Sequence, residues 1–214
     1  MRIAGLYGNI YHIAPFEYTA EKVYGGNEEE EMTTYLVLKI LIAIAAAAIL
    51  IAVSVEDIRT MEISDRHSAA LLLLAALDML IEVALSGVAA GSAGVIGSGA
   101  GGADMKAEVV AMAADRAAGA FLISGAMLMM DLIADAFGEG DVLLCFAAGA
   151  LLGWKGMLFA TVLAMMMAGL FAAAALATGR LQRRSVFPFG PFLAFGICCS
   201  LAHETYCFLA AGSY

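Results

Sequence analysis

Asp141 is followed by VLLCFAAGALLGWKGMLFATVLAMMMAGLFAAAALAT, residues 142–178. Lys155 is the only charge in the whole stretch. A helix needs about 20 apolar residues to cross a hydrocarbon core, so the stretch is long enough for two crossings. Gly153-Trp154-Lys155-Gly156 divides it. Trp and Lys are residues of the membrane interface. The pattern predicts one short span over 142–154, ending at Trp154 and Lys155, and a second span over 156–178.

Similar blocks recur on either side. One runs from Tyr35 through the Ala45–Ala48 tract to about 55, a Leu-rich one covers about 68–88, another about 117–136, and the last about 190–212. The chain is 63% hydrophobic and 14% charged, with a mean hydropathy of +0.89. Soluble domains are about half apolar and a quarter charged. The predicted fold is all-α, a polytopic membrane helix bundle of about six transmembrane helices. Residues 1–33 read as a polar N-terminal segment and 34–214 as the six-span membrane domain. No apolar h-region precedes the first span, so that span is expected to serve as its own insertion signal. Residues 89–116 read as the longest internal loop, flexible over Gly97–Gly102, with a short surface helix over 105–116.

The net charge of −9 and the lack of a basic patch disfavour nucleic acid as a partner. Cys145, Cys198, Cys199 and Cys207 all lie in apolar blocks without a C-x-x-C pair. They read as small packing residues rather than metal ligands. Neither a metal nor another cofactor is expected.

The charges that interrupt the apolar blocks are informative, because ionisable groups at membrane depth are costly and mark function. Asp57 and Asp141 each sit where a span meets a loop, and alternation of six spans puts both on one side. Two carboxylates brought together cannot both ionise easily, so the pair holds one proton between them. That is the arrangement for water-mediated peptide hydrolysis: the ionised member takes a proton from water and the protonated one polarises the scissile carbonyl. Bare helix-end carboxylates solvated at the interface are the plain alternative. Gly138 and Gly140 flank Glu139 just before Asp141 and let the backbone approach a substrate closely.

Three segments carry a family resemblance. Phe137-Gly138-Glu139-Gly140-Asp141-Val142-Leu143-Leu144 resembles the G-x-G-D motif of the prepilin peptidases. Asp57-Ile58-Arg59-Thr60-Met61-Glu62-Ile63 is similar to their first aspartate motif. Phe187-Pro188-Phe189-Gly190-Pro191-Phe192-Leu193 resembles their block before the final span. The resemblance implies a membrane aspartic endopeptidase with Asp57 and Asp141 as catalytic dyad. Gly138, Gly140, Pro188, Gly190 and Pro191 would shape the motifs or bind substrate. The implied substrate is a type IV prepilin-like or archaeal preflagellin protein, cut at its leader on the cytoplasmic face of the cell membrane. Ser64 stands where members often have Pro, and Leu143 where many have Lys. The cysteine-containing N-terminal region of the bifunctional bacterial enzymes is absent, so N-methylation is not implied. Presenilin-type and signal-peptide-peptidase-type proteases share G-x-G-D but carry Tyr-Asp and Pro-Ala-Leu motifs, which this sequence lacks.

Asp78 and Glu82 lie four residues apart, on one helical face. They could line a cavity, touch substrate or pair with other helices. Asp131 and Asp135 share a face leading towards the G-x-G-D loop. His203 and Glu204 fall mid-span and read as helix–helix hydrogen-bonding groups. Together Asp78, Glu82, Asp131 and Glu204 could instead form the ion path of a small transporter. Transporters carry internal repeats with paired broken helices, and none is visible. Arg59, Arg66, Arg180, Arg183 and Arg184 fall on the loops of the Asp57–Asp141 side, which the positive-inside rule assigns to the cytoplasm. Met165–Met167 reads as packing.

Overall fold

The computed structural model describes residues 28–61, 63–92, 101–134, 138–179 and 188–211. These form five helices and no strand: α1 (Glu28–Thr60), α2 (Asp65–Ser92), α3 (Gly101–Ala134), α4 (Glu139–Ala177) and α5 (Gly190–Ala211). Four are long and apolar enough to cross a membrane, over Thr33–Thr60, Asp65–Ala84, Val109–Ile133 and Glu139–Ala177. His203 and Glu204 interrupt the apolar run of α5, which is not among the four. The outward surface is apolar too: Leu73, Leu132 and Ile133 are each at least 73% exposed. An apolar skin of this extent belongs in lipid rather than in water.

Two helices begin earlier than their hydropathy indicates. The acidic run Glu28–Glu31 opens α1. Residues 105–116 are no separate surface helix but the first part of α3, which starts at Gly101. Met105, Lys106, Ala107 and Glu108 are good helix formers and carry the helix beyond its apolar part. Residues 97–100 of the flexible stretch, Asp135, and Arg180, Arg183 and Arg184 lie outside the described residues.

Helix α4 is not continuous. Spans 142–154 and 156–178 belong to one helical element, interrupted at Gly153, whose φ of 68° and ψ of 179° are non-helical. At about 1.5 Å per residue, 39 helical residues would extend about 58 Å, roughly twice a hydrocarbon core. The contacts show that α4 does not run straight. Its first turn holds Asp141, which interacts with Asp57 near the end of α1. Further along, the carbonyls of Ala150 and Leu151 accept hydrogen bonds from Arg116 of α3. Beyond Gly153, Gly156 meets Ser200 of α5, and Gly196 packs on Ala160. Phe171 then reaches Phe192, with ring centroids 5.4 Å apart, two residues from Gly190, which bonds to Asp57. The chain therefore leaves the Asp57 end, turns at Gly153 and comes back. Glycine is suited to that turn because its φ lies in the left-handed region.

The two limbs of α4 form the centre of the bundle, against α3, α5 and α2. Leu50, Leu71, Leu144, Met157, Leu193 and Ile197 are fully buried between the helices. Lipid is as apolar as these side chains, so close backbone approach matters more here than apolar burial. Gly119 of α3 provides it: a Cβ there would overlap the backbone of Gly149 and Gly153. Met165–Met167 departs from the packing expectation, since all three face outward, Met166 at 69% exposure. Cys145 is buried, Cys198 and Cys199 half-buried and Cys207 exposed; all four are free thiols.

Candidate functional site: two carboxylates at converging helix ends

Asp57 lies one turn before the end of α1 and is 5% exposed. A buried carboxylate needs hydrogen-bond donors. Gly190 supplies one: its backbone N–H donates to Asp57 Oδ2 at 2.8 Å. Gly190 is the first residue of α5, so this N–H has no acceptor within its own helix, and the positive end of the helix favours an anion. Pro191 in the first helical turn costs nothing, because the N–H that it lacks would have no helical partner. The Pro188–Pro191 block thus does two things at once. It starts α5, and it puts a donor beside Asp57.

Asp141 stands in the first turn of α4. Its N–H bonds to Gly138 O at 3.0 Å, closing that turn. Gly138 itself is exposed and has extended backbone. Gly140 faces the α1–α2 connection, where a Cβ would lie 2.8 Å from both Ile63 Cβ and Ile63 O. Asp141 lies within electrostatic reach of Asp57. Asp141 Oδ1 is buried, and no described group donates a hydrogen bond to it.

Five of the seven residues singled out in the sequence, Asp57, Asp141, Gly138, Gly140 and Gly190, therefore converge at the ends of α1, α4 and α5. Pro188 and Pro191 flank Gly190 directly. The solvated helix-end alternative does not describe Asp57, which is buried. Packing at Gly190 is tight: a Cβ would lie 2.7 Å from Asp57 Oδ2. Gly190→Ala should push the carboxylate aside. Any activity that depends on Asp57 is expected to fall roughly 10- to 100-fold, the size of effect that about 1 Å of misplacement produces, while the detergent-solubilised protein still elutes as folded. Turnover equal to wild type would show that the Gly190 contact is incidental.

The other buried charges gather elsewhere. Asp78 and Glu82 of α2 meet Lys39 of α1 and Arg116 of α3. Lys39 Nζ lies 2.7 Å from Asp78 Oδ1 and 2.5 Å from Glu82 Oε1. Arg116 Nη2 lies 2.7 Å from Asp78 Oδ2 and 2.8 Å from Glu82 Oε2. Two cations match two anions, which suits a low-dielectric position. Arg116 does more: its Nη1 donates to Ala150 O at 3.2 Å and Leu151 O at 2.6 Å. These carbonyls precede the break at Gly153, where helical donors run out. Eighteen residues of α1 separate Lys39 from Asp57, about 27 Å at helical rise. The network is thus remote from the carboxylate pair. Of the readings open for Asp78 and Glu82, pairing with other helices is the one observed.

On α5, Ser200 Oγ donates to Gly156 O at 3.0 Å, and a Cβ on Gly156 would lie 2.7 Å from Glu204 Oε1. His203 contacts Cys207 Sγ at 3.7 Å and faces the Phe159 ring. Asp131 is half-buried on α3. Among the described residues, no group of three His, Cys, Asp or Glu side chains could hold a metal ion. The sequence did not single out Lys39 or Arg116 as partners, nor Glu56 and Ile63 beside the carboxylates. The lone signal for the former was the need of Asp78 and Glu82 for counter-charges.

No protein-family description, curated protein or solved structure matches the chain.

Proposed function

We propose that the protein is a membrane aspartic endopeptidase with Asp57 and Asp141 as its catalytic dyad. The observation that carries this reading is that two carboxylates 84 residues apart in sequence stand at converging helix ends within electrostatic reach, one buried on a backbone N–H and the other with a buried oxygen to which no described group donates. Two carboxylates that face each other across a reacting site hold one proton between them. The ionised member takes a proton from the attacking water. The protonated member donates to the scissile carbonyl and stabilises the tetrahedral oxyanion, and the proton then passes to the leaving amine. No cofactor enters the scheme.

Counting the two limbs of α4 separately gives six crossings: α1, α2, α3, both limbs and α5. Six crossings put the ends carrying Asp57, Asp141 and Gly190 on one face. The arginines of that face make it cytoplasmic under the positive-inside rule. With the three motif resemblances, the substrate class is the leader of a type IV prepilin-like or preflagellin protein in the cell membrane. Leader cleavage is the activity proposed.

Reconstitution in proteoliposomes with a leader-bearing membrane substrate tests the reading. The expected result is a shortened substrate and no ion current. Ion flux without cleavage would instead favour a transporter, although the mutual neutralisation of Lys39, Asp78, Glu82 and Arg116 leaves those carboxylates already engaged.

A further inference from the structure

Glu56 immediately precedes Asp57 and, at roughly 100° per residue, projects from a different side of α1. Its carboxylate spans the α1–α2 connection. Oε2 accepts the N–H of Ser64 at 3.3 Å and lies 2.9 Å from His67 Nδ1, a charge contact when the ring is protonated rather than a well-angled hydrogen bond. Ser64 directly precedes α2, and its carbonyl accepts the N–H of His67 at 3.1 Å. The first N–H groups of a helix lack internal acceptors, and an anion beside them is favoured. Glu56 therefore caps α2 from the neighbouring helix.

The capped segment touches the site. Ile63, covalently next to Ser64, is the residue against which Gly140 lies, with no room for even a methyl group between them. Gly140 in turn is bonded to Asp141. A continuous line of contacts runs from Glu56 through Ser64, Ile63 and Gly140 to the second carboxylate. The same glutamate is the chain neighbour of the first.

We propose that Glu56, supported by His67, is a positioning residue that sets Asp141 against Asp57 by pinning the α1–α2 connection under Gly140. The proposal rests on the peptidase reading of the two aspartates. Glu56 and His67 are about a third exposed, and pairs of this kind contribute little to global stability. A shift of about 1 Å at a reacting group, by contrast, can cost about 100-fold in rate. The effect should thus appear in turnover and local order rather than in folding.

Glu56→Ala and Glu56→Gln in the full-length protein test this, with leader-cleavage kinetics beside amide hydrogen exchange. For Glu56→Ala, kcat should fall roughly tenfold or more while KM stays within about twofold. Exchange should quicken both at 63–67 and at 138–142. Glu56→Gln keeps an acceptor for the Ser64 N–H and should recover most of both losses. Unchanged exchange at 138–142 in Glu56→Ala, or an unchanged kcat, would overturn the proposal. If exchange at the two segments is coupled but wild type cuts no leader, the pinning stands and the peptidase reading falls.

Discussion

Asp57→Asn and Asp141→Asn are each expected to reduce leader cleavage by about 10³-fold or more, because members of a catalytic unit fail together when either is removed. Asparagine has nearly the shape of aspartate, and its carbonyl oxygen can still accept the Gly190 N–H that holds Asp57 at 2.8 Å. What it cannot do is take up or release the shared proton. The packing around Asp57 is therefore retained, and stability should change by no more than about 1 kcal/mol, the scale of one hydrogen bond. Turnover in membranes with matched protein levels, and unfolding in mixed micelles, check the two halves of this expectation. A large loss of both would mean that the carboxylates hold the bundle together rather than act on a substrate.

Arg116→Met should have the largest effect on stability. Arg116 makes four contacts, to Asp78, Glu82, Ala150 O and Leu151 O. Interhelical hydrogen bonds in membrane proteins contribute about 0.6 kcal/mol each on average, which alone suggests about 2 kcal/mol. The variant also leaves Asp78 and Glu82, buried to within 2% and 6% exposure, with one cation between them. Breaking a buried charge network by removing one partner costs about 3–5 kcal/mol. The charge imbalance dominates, so the loss should fall nearer the upper figure. Adding Asp78→Asn to Arg116→Met restores the charge match with Lys39 and should recover part of the loss. If Arg116→Met alone unfolds at the wild-type detergent ratio, the network contributes no stability and the turn at Gly153 stands without it.

The fold was legible where apolar blocks exceed what a soluble domain carries, and where a block too long for one crossing was interrupted by Trp154 and Lys155; that the break itself falls at Gly153 was not. It was not legible where helices outlast the apolar blocks. The segment from Gly101 to Arg116 is polar enough to read as loop with a short separate helix over 105–116, yet it joins α3 without a break. Hydropathy marks the part of a helix inside lipid, not the helix. The candidate site was legible because Asp57 and Asp141 carry local motifs around them. The donor at Gly190 could be suspected from Pro-Phe-Gly-Pro, though not that one short block both begins α5 and serves Asp57. Pairing across helices stayed hidden. Asp78 and Glu82 announced by their four-residue spacing that they share a face, but which cations lie opposite depends on helix rotation and on the reversal of α4.

A catalytic dyad is tested most sharply by mass-spectrometric mapping of a leader-bearing substrate after incubation in membranes containing wild type, Asp57→Asn, Asp141→Asn or the double variant. A single new N-terminus is expected with wild type, none above background with either single variant, and no further loss in the double, since the pair acts as one unit. Cleavage that persists in either single variant at wild-type protein level would show that Asp57 and Asp141 are not the catalytic pair.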